Sequence, residues 1–509
     1  MKSLAAKFTG STKKISIGIA VIRLVRAIMT AMTLVVAARY FGVSAERDAW
    51  VLCTAFTMVI LQLLFGPINE VFRTKCIHIR VEQGNAVLGQ TNASICSFYL
   101  WISVLAVLVI ELKPELVCNM IAQNLTGVDR HNFIFYVRLI IPSLVLTQLV
   151  NGWTSILNCQ NVFFIPELYG IVISIFNVIF IVALADYLGV GSLILAMYVG
   201  NFVLLLLLVR EIRKWQPSPI ISLLPNITLC WTLLVSALPF YLPYFFGQLV
   251  SLIEKRISMG LGVGNASILD YAQKLVQVPQ GVIMGTIATV LAPALAAKFS
   301  NNQTQHIQDD VCEYLRMIFL GMIPVVVILA VCSEDLIDLF FAHKITIVER
   351  IIMAKVTRIL TIGLFGVVVY SVAGQALVAQ KKGKLYAGIA VLIQIIIVTL
   401  NLVWGNMYGL IFMATAWAVT HIVLGIVLLL FIGISMPVLL NRLGLILLIL
   451  GSGLFVSEYI HSMLATNISI INILISEITA IVCVISGLRF TRQPEFVAIN
   501  NMIMRLKNN

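Results

Sequence analysis

Apolar residues run through this chain in long blocks, each about as long as a bilayer is thick, with short polar connections between them. A spanning helix needs about 20 mostly apolar residues. Windows of that length predict fourteen helices, at 15–37, 49–72, 92–112, 133–156, 163–185, 189–209, 228–253, 266–295, 314–333, 356–379, 385–405, 408–432, 443–461 and 468–488. The longest connections, 73–91, 113–132, 296–313 and 334–355, are too short to fold alone. The pattern therefore predicts an all-α integral membrane protein with no sizeable water-soluble domain, and places any chemistry in or between helices.

Composition agrees: 60% of the 509 residues are hydrophobic and 11% charged, against roughly 25% charged in soluble domains. The net charge of +12 is scattered between apolar segments rather than gathered on one element, which argues against nucleic acid. Read by the positive-inside rule with the N-terminus inside, 19 Lys and Arg fall in cytoplasmic connections, nine in outer ones and six in or at the ends of helices. Both termini are therefore expected in the cytoplasm. The basic stretch Met1–Lys14 precedes an apolar run without a small-residue cleavage site, so it reads as leading into a retained first helix. Nine cysteines show no metal-ligand or C-x-x-C spacing and read as small buried hydrophobes.

A weak internal repeat stands at an offset of 222 residues: Gly42–Asp48 (GVSAERD) opens helix two and Gly264–Asp270 (GNASILD) opens helix eight. It fits two six-helix lobes in parallel repeat, with limits at 1–225 and 226–435 and a further pair of helices in 436–509.

Charges inside a span cost about 2.5–3.5 kcal/mol on insertion scales, so they pair or face water. Arg23 and Arg26 sit one turn apart in helix one, on one face. Ser267, Asp270, Lys274, Gln277 and Gly281 make a polar stripe on helix eight. Helix two ends in Gly66-Pro67-Ile68-Asn69-Glu70, and Pro239 and Pro243 in helix seven and Pro279 in helix eight bend or break the helix or mark a packing kink. Glu254-Lys255-Arg256, after helix seven, reads as a solvated anchor. The chain has no P-loop, H-E-x-x-H or G-x-S-x-G, so no enzyme and no cofactor is expected.

Two stretches carry a resemblance. Ala38–Trp50 (ARYFGVSAERDAW), with the Gly66–Phe72 segment, resembles the end of helix one and helix two of the MurJ (MviN) family of lipid II flippases. Gly264–Phe299 resembles that family's helix eight: Tyr-Ala, a basic residue before Leu, Pro-x-Gly, and a Thr-x-x-x-Pro ending. Some positions depart from the family pattern. Lys274 stands where the family usually has an arginine, Gln273 replaces an aspartate, and Thr33, Leu34, Gln62 and Leu63 occupy other charged positions. The resemblance is therefore to a divergent member of the multidrug/oligosaccharidyl-lipid/polysaccharide exporter superfamily.

It implies two six-helix lobes around a cationic cavity plus two extra helices, in the bacterial inner membrane. It also implies alternating-access flipping of an undecaprenyl-pyrophosphate-linked glycan, driven by an ion gradient or the membrane potential. The candidate substrate-binding residues are Arg23, Arg26, Asp48, Asn69, Glu70, Asp270, Lys274 and Gln277. The expected partners are a lipid-linked oligosaccharide, membrane lipids and the cell-wall synthesis machinery, with the chain itself a monomer. Export of an exopolysaccharide or O-antigen unit is the alternative cargo. A cation antiporter would need an acidic cavity, and a glycan polymerase a long outer loop with paired carboxylates.

Overall fold

The computed structural model describes residues 2–123, 125, 127–160, 162–215, 220–291, 294–295, 307–464, 466 and 468–496. The described elements are helices and turns. Among the described residues, eleven stretches are long and apolar enough to cross a membrane, and a pair bent by 50°, Gln308–Gly321 with Ile323–Val331, makes a twelfth. Gly383–Ile432 is 50 residues long, enough for two crossings at about 1.5 Å per residue, and Asn265–Thr286 is a further 22-residue helix. Fourteen spans are compatible with these helices. By its contacts the chain divides into two compact units, 1–270 and 271–509, described separately here.

The first unit holds α1 (Lys2–Phe41), α2 (Ala45–Leu112), α3 (Pro114–Ile121), α4 (Gly127–Ile140), α5 (Ser143–Cys159), α6 (Phe164–Glu167), α7 (Tyr169–Leu188), α8 (Gly191–Trp215) and α9 (Ile227–Gly260), with the start of α10 (Asn265–Thr286). Helix α2 corrects a sequence expectation. The 73–91 connection is helical, and α2 joins two spans through it, departing from helical geometry only at Gly84 (φ 81°). The segment has no proline, and Cys76 and Ile79 turn one apolar edge inward, so nothing but that glycine ends the helix. Likewise 113–132 contains α3 and the start of α4. Residues 296–306 and those after Phe496 lie outside the described set.

Aromatic packing anchors α2. Tyr99 meets Phe65 edge-on at 5.5 Å and Phe72 at 6.3 Å, and its hydroxyl donates to Asn69 Oδ1 at 2.7 Å. Gly152 of α5 leaves room for the Tyr99 ring, since a Cβ there would lie 2.9 Å from it. Helix α9 packs along α2 where Gly66 faces Tyr244, 2.6 Å from the position a Cβ would take. This packing carries α9 into the first compact unit.

The second unit contains α11 (Ile307–Gly321), α12 (Ile323–Val326), a π turn at Val327–Val331, α13 (Ser333–Phe341), α14 (Ile347–Ala379), α15 (Gly383–Leu400), α16 (Asn406–Ile432), α17 (Met436–Leu464) and α18 (Ser469–Phe490). The expected 334–355 connection holds α13 and the start of α14, which opens on a Thr346/Glu349 capping box. Helices α14 and α16 approach closely through small residues. A Cβ on Gly366 would collide with the Ile422 backbone, and one on Gly425 would lie 3.1 Å from the Gly366 carbonyl oxygen. The α17–α18 hairpin is tied to the α11–α13 segment at both ends, by Arg442–Asp309 at 2.8 Å and His461–Asp335 at 3.0 Å. Arg316 of α11 adds a fork to Glu495 at 2.6 and 2.8 Å.

Candidate functional site

Two turns of α1 lie on α6 and the start of α7. The Arg23 guanidinium donates to Glu167 Oε1 from Nη2 at 2.8 Å and from Nε at 3.2 Å. One turn on, the stem of Arg26 crosses Gly170, with Cδ 2.6 Å from where a Cβ would stand. Further up, Thr33 Oγ1 donates to the Met29 carbonyl at 2.9 Å and to Ser174 O at 3.3 Å, so one hydroxyl joins the two helices. The i, i+3 spacing places both arginines on one face, and α6 and the start of α7 receive that face.

The GVSAERD segment is built from caps. Ser44 caps α2 by accepting from Arg47 N at 3.3 Å. Glu46 accepts from Val190 N at 3.1 Å and from the Tyr136 hydroxyl, and lies against Gly189 (φ 52°). Asp48 accepts from Gly264 N (2.5 Å), Ser267 N (2.7 Å) and Ser267 Oγ (2.5 Å). The first N–H groups of a helix have no partner within it; this carboxylate supplies one to α10, where the helix dipole also favours negative charge.

Next to Asp48, Arg47 is 1% exposed. Its Nη2 donates to Asp270 Oδ2 at 3.0 Å, and its guanidinium stacks 4.4 Å over Trp50. Lys255 Nζ lies 3.6 Å from Asp270 Oδ1. The two repeat segments, 222 residues apart, thus pack directly on each other, and both of their aspartates are consumed in that packing. A cavity of about 50 Å³ adjoins Asp48, lined also by Glu46, Asp129 and Asn132.

Arg47 and Lys255 are residues the sequence reading passed over. Lys255 and Glu254 are 4% and 3% exposed, so the reading of Glu254-Lys255-Arg256 as a solvated anchor is corrected for the first two. The apolar pattern continuing through Ile257 to Gly260 is the signal that α9 runs past them.

At the other end of the first leg of α2, Asn69 takes the Tyr99 hydroxyl, while Glu70 takes Tyr244 Oη at 3.1 Å and Arg73 Nη2 at 3.0 Å. Lys274 and Gln277 fall in the second unit, the first half-buried and the second exposed. Six of the eight predicted residues therefore form three groups within the first unit, Arg23 with Arg26, Asp48 with Asp270, and Asn69 with Glu70. Lys274 and Gln277 stand on the continuation of α10. Among the described residues no cluster of His, Cys, Asp and Glu could hold a metal, and eight of the nine cysteines are buried thiols.

Long apolar helices, with ion pairs and caps at Arg23, Arg47, Asp48 and Asp270, define a polytopic α-helical membrane protein. The chain belongs to the MurJ family: the family model described as lipid II flippase MurJ matches residues 37–487. A probable lipid II flippase MurJ of Borreliella burgdorferi is 24% identical over 296 residues, 56% of each chain, so the match spans little more than half of that relative's length. The lipid II flippase MurJ of Burkholderia cenocepacia is 23% identical over 396 residues, 73% of this chain and 74% of the relative. Among solved structures, lipid II flippase MurJ in an inward closed conformation superposes with a TM-score of 0.77. That match has 20% identity and covers 93% of this chain and 99% of the other. The all-α membrane fold expected from the sequence is the one these proteins share.

Proposed function

We propose that this chain flips an undecaprenyl-pyrophosphate-linked glycan precursor, peptidoglycan lipid II, from the inner to the outer leaflet of the bacterial cytoplasmic membrane by alternating access. The observation that carries the reading is the pair Arg23 and Arg26, in the apolar span Val21–Phe41 of a chain that belongs to the MurJ family. A pyrophosphate headgroup must cross roughly 30 Å of hydrocarbon, and stripping water from its charge is prohibitive without compensation. Basic side chains offset that cost while the polyprenyl tail stays in lipid.

In this reading Arg26 and Lys274 supply net positive charge, Arg23 lies beside them in its ion pair with Glu167, Asn69, Glu70 and Gln277 contact the polar headgroup, and Asp48 with Asp270 holds the segments that open helices two and eight. The lobes are 1–225 and 226–435, with 436–509 added to them. Both termini are cytoplasmic, an ion gradient or the membrane potential drives transport, and the monomer works beside the cell-wall synthesis machinery. The test is complementation of a conditional lipid II flippase depletion, read as lipid II accessibility at the outer leaflet. Wild type restores it, and Lys274→Glu inserts into the membrane but does not. Complementation by Lys274→Glu refutes the role given to Lys274, and no complementation by wild type refutes lipid II as cargo.

A further inference from the structure

The two arginines of α1 are not equivalent. Arg23 is held by a carboxylate through two of its nitrogens, at 2.8 and 3.2 Å from one Glu167 oxygen, and the pair is neutral. Arg26 is exposed, and among the described residues no carboxylate pairs with it. Its stem is laid across Gly170, where any side chain would stand in its path. Both neighbours come from a seven-residue stretch at the start of span five, Phe164–Gly170: one cancels a charge and the other aims one.

Resting on the functional reading above, we propose that Glu167 and Gly170 are specificity-determining residues. They set the positive charge this face of α1 offers to a phosphate-bearing headgroup at one, from Arg26, rather than two. Glu167 acts by offsetting the Arg23 charge with its own. Gly170 acts by leaving the lane in which Arg26 lies. Because a charge near an anion strengthens its binding, and more so in a drier setting than in water, the count decides how steeply the face discriminates headgroup charge.

The experiment uses the full chain in nanodiscs with three probes, a short-chain polyprenyl pyrophosphate, the matching monophosphate and the matching alcohol. Inorganic pyrophosphate is the competitor that separates a lipid site from a free-anion site. Glu167→Gln is expected to tighten the pyrophosphate probe about tenfold and the monophosphate less, to leave the alcohol unchanged, and to steepen the salt dependence. The swapped pair Arg23→Glu/Glu167→Arg keeps the neutral bridge and is expected to keep wild-type selectivity, so a folding defect in the single variant does not decide the outcome. Gly170→Ala is expected to weaken pyrophosphate binding several-fold, and to have no further effect in an Arg26→Ala background. Unchanged charge selectivity in Glu167→Gln, or a Gly170→Ala loss that persists without Arg26, overturns the proposal. Wild type binding no phosphorylated probe overturns the functional reading beneath it.

Discussion

Replacing Asp48 with alanine removes one carboxylate and strands three donors, the Gly264 and Ser267 amides and the Ser267 hydroxyl. Loss of an N-cap side chain costs about 0.5–2 kcal/mol, and each buried donor left without an acceptor about 1–3 kcal/mol. Asp48 is 1% exposed, so the stranded donors lie away from bulk water. Asp48→Ala should therefore lose about 3–5 kcal/mol. Asp48→Asn keeps one acceptor oxygen but turns an amide toward other donors, and should lose less. Asp48→Ser, a short side chain that also caps helices, should fall between them. The assay is thermal unfolding of purified protein in detergent, with expression level as control. A capping role predicts the order wild type, Asn, Ser, Ala in stability. If Asp48→Ala melts with wild type and loses only substrate binding, the carboxylate serves ligand rather than α10, and the reasoning fails.

Arg47→Ala should destabilise by about 3–5 kcal/mol by taking from Asp270 a buried ion-pair partner; the Arg47→Ala/Asp270→Ala double variant should lose less than the two singles summed, by about 0.5–3 kcal/mol, and additive melting shifts would refute the pairing. Gly366→Ala places a Cβ 2.8 Å from Ile422 Cα, in backbone that cannot step aside, and should reduce the monodisperse fraction on size-exclusion chromatography sharply, whereas Gly388→Ala, which meets nothing within 4 Å, should not.

The spans were legible because a bilayer demands one kind of segment, and apolar blocks of the required length stand out in Ile227–Gly260 or Ser469–Phe490 without any partner being known. Helix between spans was not legible by the same rule: 73–91 is polar, and polar stretches between apolar blocks read as loops unless one asks what would stop the helix. The candidate site was half visible. Arg23 and Arg26 announced themselves by spacing, but Glu167, which neutralises the first, lies 144 residues away and looked unremarkable at a helix start. Arg47 and Lys255 looked like loop charges because their burial depends on Asp270, 223 and 15 positions distant. The 222-residue repeat was visible as a likeness between segments; that one copy caps the other is a fact of packing that no likeness states.

Gly84 gives α2 an elbow rather than a loop. A methyl group there would meet open space, so no side chain props the bend from that position. The backbone on either side stays helical, so the two legs are joined by stiff rod on both sides of a single soft point. Such a linkage passes rotation along while tolerating a change of angle, as a universal joint does. Any rotation of the leg bearing Arg47 and Asp48 about its own axis must therefore be answered by the leg bearing Tyr99, while a change of tilt can be taken up at Gly84.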